Sequence, residues 1–310
     1  MGFKSVNEGI AASVFLGAYT LYSIVAIAVV LKKGFWTTYT HLLFYGIIRV
    51  GAQICGVAFS KLGLEHYGWL VGYLVLGVEG YFILVLSSFY LLINVYQEKT
   101  GQKDNKFNKS IFNKSDGTSI KLLGSEVTFK GIMFQYMIVA NVLLAVGGSI
   151  LCSLKADEYE TKKGTLNASK ALRGAGQIIF LIVTLMVVAL TVCARFWEKI
   201  RHSTITFILV AAPFLLIRAI YGTLTCFVNK MNYFQLSNYT EDGLSTYFVA
   251  TEYCLATTME FVSASLLIST FLISRYESRR GDFSTSSLDD KEGLEVVTPF
   301  SKSKNSSEKC

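Results

Sequence analysis

The chain has 310 residues, 52% of them hydrophobic and 16% charged, with a mean hydropathy of +0.45. That is too little charge to cover a water-soluble domain of this size, and two prolines among 25 glycines exclude a Pro-rich disordered chain and collagen. The net charge of +7 does not point to nucleic acid, because most Lys and Arg stand between apolar runs, where they orient helices in a bilayer.

A membrane-crossing helix needs about 20 mostly apolar residues. Seven segments qualify, near 10–31, 36–58, 68–95, 131–153, 174–196, 204–227 and 247–273. The expected fold is therefore all-α, a seven-transmembrane helix bundle over 10–273. The first segment reads as an uncleaved span, since Lys4 and Glu8 cancel before it and Lys32 and Lys33 follow it. The fifth is the clearest, running from Ile178 to Arg195 without a charge.

Residues 1–9 then form a short outside terminus, and the C-terminus is cytoplasmic. With that direction, fifteen Lys and Arg fall beside the spans on the inside and eight on the outside. The sequons at Asn167 and Asn238 fall on outside loops, whereas those at Asn108 and Asn113 fall inside and are expected to be silent. Trp36, Trp69 and Trp197 all stand at span ends, as interfacial anchors do. A plasma membrane or another membrane of the secretory pathway is the expected location.

Residues 97–130 make a basic cytoplasmic loop with a short echo, Phe107-Asn-Lys-Ser and Phe112-Asn-Lys-Ser. Its lysines can rest on an anionic leaflet or be solvated. The tail, 274–310, is rich in Ser, Thr and charge and reads as disordered; a cytoplasmic partner for it is not legible. Cys310 is not part of a C-a-a-X box, and Val6 stands where a myristoylation motif needs Ser or Thr.

The informative residues are the ionisable ones inside the spans. A charge near the bilayer centre costs roughly 2.5–3.5 kcal/mol even on a lenient insertion scale, so it faces the bundle interior with a partner or water. The candidates are Arg49 in the second span, Glu79 in the third, Arg218 in the sixth, and Glu252 and Glu260 in the seventh, with Gln53 extending the set. Counted from the outer ends, Arg49 lies about 15 Å deep and Glu79 about 17 Å, so neighbouring helices can pair them. Arg218 falls between the depths of Glu252 and Glu260 and can meet either. These charges either fix helix packing or line a polar cavity in the outer half that binds a headgroup, ion or small amphiphilic ligand. Pro213 is expected to kink the sixth span, and Gly68 and Gly72 form a G-x-x-x-G on the third.

Several chemistries are excluded by the residues they require. The seventh span holds no lysine for a retinal Schiff base, and three histidines, His41, His66 and His202, do not make a zinc hydrolase site. Asp/Glu-Arg-Tyr and Asn-Pro-x-x-Tyr motifs are missing, as are a P-loop, G-x-S-x-G and H-E-x-x-H. No catalytic residues, no metal and no cofactor are expected, and the protein reads as non-enzymatic. The six cysteines are scattered and read as packing residues, with a Cys152–Cys226 bridge left open.

Four short stretches carry a resemblance: Phe214-Leu-Leu-Ile-Arg218-Ala-Ile-Tyr221, Met259-Glu260-Phe261, Ile48-Arg49-Val50-Gly51-Ala52, and Glu79-Gly80 with its apolar continuation. Over residues 10–275 the chain resembles an uncharacterised family of fungal seven-span membrane proteins. Leu216-Ile217-Arg218-x-x-Tyr221 is also similar to the fungal RTA-like lipid-translocating exporters. Those usually continue with a further Arg and an acidic residue, where this chain has Gly222 and Thr223. The resemblance implies architecture and a fungal source more than an activity. Three functions stay open on the sequence: a receptor- or sensor-like protein, a transporter or lipid translocator with membrane lipids as partners, and a packing protein without a ligand.

Overall fold

The computed structural model describes residues 3–66, 68–100, 121–122, 125–126, 129–152, 162–200, 202–233, 235–240 and 243–273. The sequons at Asn108 and Asn113, the repeat in the basic loop, and the tail from 274 lie outside the described residues. Met1–Thr270 forms one compact unit; of the second, Phe271–Cys310, the described part is the end of the last helix.

Seven helices are long and apolar enough to cross a membrane. They are α1 (Val6–Lys33), α2 (Thr38–Leu62), α3 (Gly68–Thr100), α4 (Phe129–Cys152), α5 (Lys163–Val192), α6 (Ser203–Phe227) and α7 (Thr246–Ile273). Two-residue antiparallel ladders add little sheet: β1 (Lys121–Leu122) pairs with β2 (Ser125–Glu126), and β3 (Tyr239–Thr240) with β4 (Gly243–Leu244). The outer faces are apolar, with Leu21, Ile24, Phe44, Ile47, Ile182 and Leu185 among many exposed large side chains. Water would not tolerate that belt and hydrocarbon does. The architecture is that of a multi-pass membrane protein.

Helix ends follow local chemistry. Gly34 and Gly63 close α1 and α2 at φ +93° and +78°, a region an L side chain rarely adopts, and each N–H caps the carbonyl four residues back. His202 opens α6 by accepting the Thr204 N–H on Nδ1. Gly72 packs its bare face on the Cys55 side chain of α2, so this half of the G-x-x-x-G serves contact inside the bundle. α6 continues as helix through Pro213.

α3 contacts α2, α4, α5 and α6 and is the central helix. Leu84, Phe89, Leu92 and Tyr96 on it are almost fully buried, in keeping with a helix that is apolar on all sides. The chain start lies beside the end of α2, where the Lys4 and Ser5 N–H groups both donate to the Ser60 carbonyl. On that same N-terminal side, Asn7 bonds Thr246 at the start of α7, and Tyr233 meets Phe248 edge to face. The α6–α7 connection thus closes over this end of the bundle.

Candidate functional site

Glu260 is completely buried, and both intramembrane arginines converge on it. Arg49 Nη2 from α2 donates to Oε2, and Arg218 Nε from α6 donates to Oε1 at 2.5 Å. Each guanidinium also lies over a tyrosine ring: Arg49 over Tyr19 at 5.7 Å, Arg218 over Tyr81 at 4.9 Å. Two cations thus share one carboxylate across three helices. Arg49 reaches Glu260 along the bare face of α3, where a Cβ on Gly80 would stand 3.1 Å from its Cδ and one on Gly77 3.5 Å from its Nη1.

This corrects the pairing drawn from depth. Arg49 does not pair with Glu79, because the glycine groove carries it past α3 to α7. Glu79 instead accepts from Asn141 Nδ2 of α4 at 2.7 Å. Of the two acids within reach of Arg218, Glu260 takes it. Glu252 receives the Tyr73 hydroxyl at 3.5 Å. Gln53 is fully buried between α2 and α7, accepting from Tyr253, and stands apart from the cavity wall.

Beside this triad lies a cavity of about 580 Å³ between α3, α4, α5 and α6, with Arg49 and Glu252 reaching it from α2 and α7. Its walls come from the first turns of α3, α5 and α7 and the last turns of α4 and α6, which puts it in the half of the bundle that holds the N-terminus. Val71, Leu74, Val78 and Leu144 make it apolar. Arg49, Arg173, Arg218, Glu79 and Glu252 make it charged. Val75, half exposed on the outer face, also lines it, so the cavity reaches the lipid-facing side of α3.

Its floor depends on one close approach. A Cβ on Gly222 would lie 2.5 Å from Gln177 Oε1 and 2.9 Å from Arg218 Nη1, so only glycine leaves these two groups their places. Buried polar atoms on the wall that have no hydrogen-bond partner among the described residues include Gln177 Oε1 and the Tyr221 hydroxyl. Such atoms are costly unless something occupies the space beside them. Tyr233, in the α6–α7 connection, closes the cavity with a hydroxyl that burial, aided by Glu252, pushes well above its usual range, so it remains a neutral donor.

Charge in an apolar run marked Arg49, Glu79, Arg218, Glu252 and Glu260 in advance. Arg173, Gln177 and Tyr73 carry no such mark, and Tyr221 stands out only through the stretch that carries the resemblance. Arg173 counted as a loop residue, but α5 begins ten residues before it and places it in the wall. Asn167 is exposed on the first turns of α5. Asn238 is buried with Nδ2 donating to the Asn229 and Asn232 carbonyls, so a glycan there requires that turn to open. Cys226 is a free thiol pointing to the Gly222 carbonyl, which removes the Cys152–Cys226 bridge. Among the described residues no cluster of His, Cys, Asp and Glu is arranged to hold a metal ion.

Residues 119–273, half of the chain, match the family described as a domain of unknown function (DUF7702). That stretch contains α4 to α7, and with them Arg173, Gln177, Arg218, Tyr221, Glu252 and Glu260. No curated protein and no solved structure matches the chain.

Proposed function

The chain belongs to the DUF7702 family, and from that premise we propose that it is a non-enzymatic, receptor- or sensor-like membrane protein that binds a small amphiphile in the cavity between α3 and α6. The observation that carries this reading is the wall itself: a mixed set of charges around a space of about 580 Å³, with Gln177 Oε1 and the Tyr221 hydroxyl buried and unpartnered on it. A triad that only fixed packing has no use for that space. An apolar wall continuous with the lipid face at Val75 suits a ligand with a polar head and an apolar part.

The chain is taken as N-out and C-in, which puts the cavity in the outer leaflet. A fungal source rests on the motifs around Arg49 and Arg218, and a secretory-pathway membrane on the exposed sequon at Asn167. The second reading is an RTA-like lipid translocator, favoured by the same opening at Val75. Phospholipid translocation by the purified protein in proteoliposomes would decide for it.

Binding is tested by filling the space without touching a charge. A Cβ on Gly148 meets nothing within 4 Å, and this residue lines the cavity. Native mass spectrometry of the full chain, released from mild detergent, is expected to show a retained small-molecule mass that Gly148→Phe removes at unchanged melting temperature. Wild type without any bound mass, and with no uptake of added single-chain amphiphiles, would sink the binding reading.

A further inference from the structure

The two sides of the cavity differ in sign. Tyr221 and Gly222 are adjacent on α6 but face different helices. Gly222 faces Gln177 on α5, and Arg173 stands one turn before Gln177. Tyr221 is turned towards α7 and the Glu252 carboxylate, without a hydrogen bond between them. Tyr73 from α3 donates to that carboxylate, and Tyr233 closes the same side. The α5 side of the wall therefore carries the Arg173 guanidinium, and the α7 side the Glu252 carboxylate with Tyr73, Tyr221 and Tyr233 in the same lining.

Three acids, Glu79, Glu252 and Glu260, stand in or beside the cavity. Glu260 is consumed by Arg49 and Arg218. Glu79 accepts from Asn141 and has that amide in front of it. Glu252 accepts from the Tyr73 hydroxyl and forms no ion pair among the described residues. Aromatic faces around a carboxylate recognise ammonium groups, above all alkylated ones, because the ring quadrupole and the full charge act together. On the opposite side, Arg173 and the outer edge of Arg218 suit an oxyanion.

Resting on the reading of the cavity as a ligand site, we propose that its ligand is a zwitterion: an ammonium group held at Glu252 by Tyr73, Tyr221 and Tyr233, and a phosphate or carboxylate held at Arg173. A phospholipid headgroup and a free solute share this chemistry.

The test is competition binding to the full chain in nanodiscs, with four probes: lysophosphatidylcholine, lysophosphatidylglycerol of the same acyl chain, glycerophosphocholine and inorganic phosphate. The choline lipid is expected to bind roughly tenfold tighter than the glycerol lipid. Glu252→Gln is expected to erase that preference, with the variant's melting temperature reporting that it is folded. Arg173→Gln should weaken both lipids. Tyr221→Phe should keep the preference and Tyr221→Leu should lose it, which separates the ring from its hydroxyl.

Binding by glycerophosphocholine as tight as by the lysolipid identifies a soluble zwitterion, and binding by the lysolipid alone identifies a lipid headgroup; both support the proposal. Equal affinity for the two lipids, phosphate as good as either, or a Glu252→Gln variant that weakens both alike would overturn it and leave the cavity an anion or general amphiphile site. Failure of every probe, with no retained mass in the wild type, would remove the binding reading itself.

Discussion

One carboxylate answers for two guanidinium groups at Glu260, and both arginines are nearly fully buried. Removing the acid alone leaves two cations in a low-dielectric interior. Glu260→Gln is therefore expected to destabilise the fold by about 3–5 kcal/mol, read as a fall in melting temperature in detergent. Replacing the whole set, as Arg49→Met, Arg218→Met and Glu260→Leu together, leaves nothing uncompensated and should restore most of that loss. The triple variant also separates packing from binding. A stable triple variant that still holds its ligand would make the triad mere scaffold, whereas stability without binding is the outcome expected here. These residues were legible because a charge in an apolar run is expensive wherever it ends up. Gln177, Tyr73 and Tyr221 gave no such signal, since amides and phenols are cheaper to bury and tyrosine is common throughout this chain. Arg173 was hidden by its place beside the expected start of a span, where a long side chain can reach the interface.

Along α7, Glu252 and Glu260 both face the interior although they are eight residues apart. In an unbroken α-helix that spacing turns about 800°, leaving the two about 80° apart. Residues Tyr253–Thr257 form a π turn between them. One extra residue in a turn brings the pair to within about 20° of a common face. The Thr258 hydroxyl, donating to the Tyr253 carbonyl at 2.7 Å, covers an acceptor that the widened turn exposes. Deleting Cys254, an exposed residue inside the bulge, should let α7 close as a plain α-helix in which Glu252 and Glu260 stay within about 20° of a common face. The expected result is a folded protein that retains both the Glu260 triad and its ligand affinity. Loss of affinity, or of the triad, would mean that the bulge does more than absorb one residue between the two acids. No periodicity read from the sequence shows such a bulge, because its apolar pattern differs from that of a helix by a single residue.

At the scale of the whole molecule, seven apolar runs made the fold legible, since span length and hydropathy leave few alternatives for a chain this apolar. What the runs could not give was which helices touch. Depth alone put Arg49 beside Glu79, and only the glycine face of α3 lets it reach α7 instead. Direction in the bilayer is the remaining global property, and the two sequons near α5 and α7 bear on it differently. Asn167 is exposed at the N-terminal-side end of α5, whereas the Asn238 amide is held in a turn by two carbonyls. With the N-terminus out, the chain expressed in a glycosylating cell should lose one mass step on treatment with an N-glycosidase. Asn167→Gln should abolish that step, and Asn238→Gln should leave it, because the folded turn withholds its nitrogen from the transferase. A step that maps to Asn108 or Asn113 would invert the protein, place the cavity in the cytoplasmic leaflet, and change which pool of zwitterions can reach Glu252.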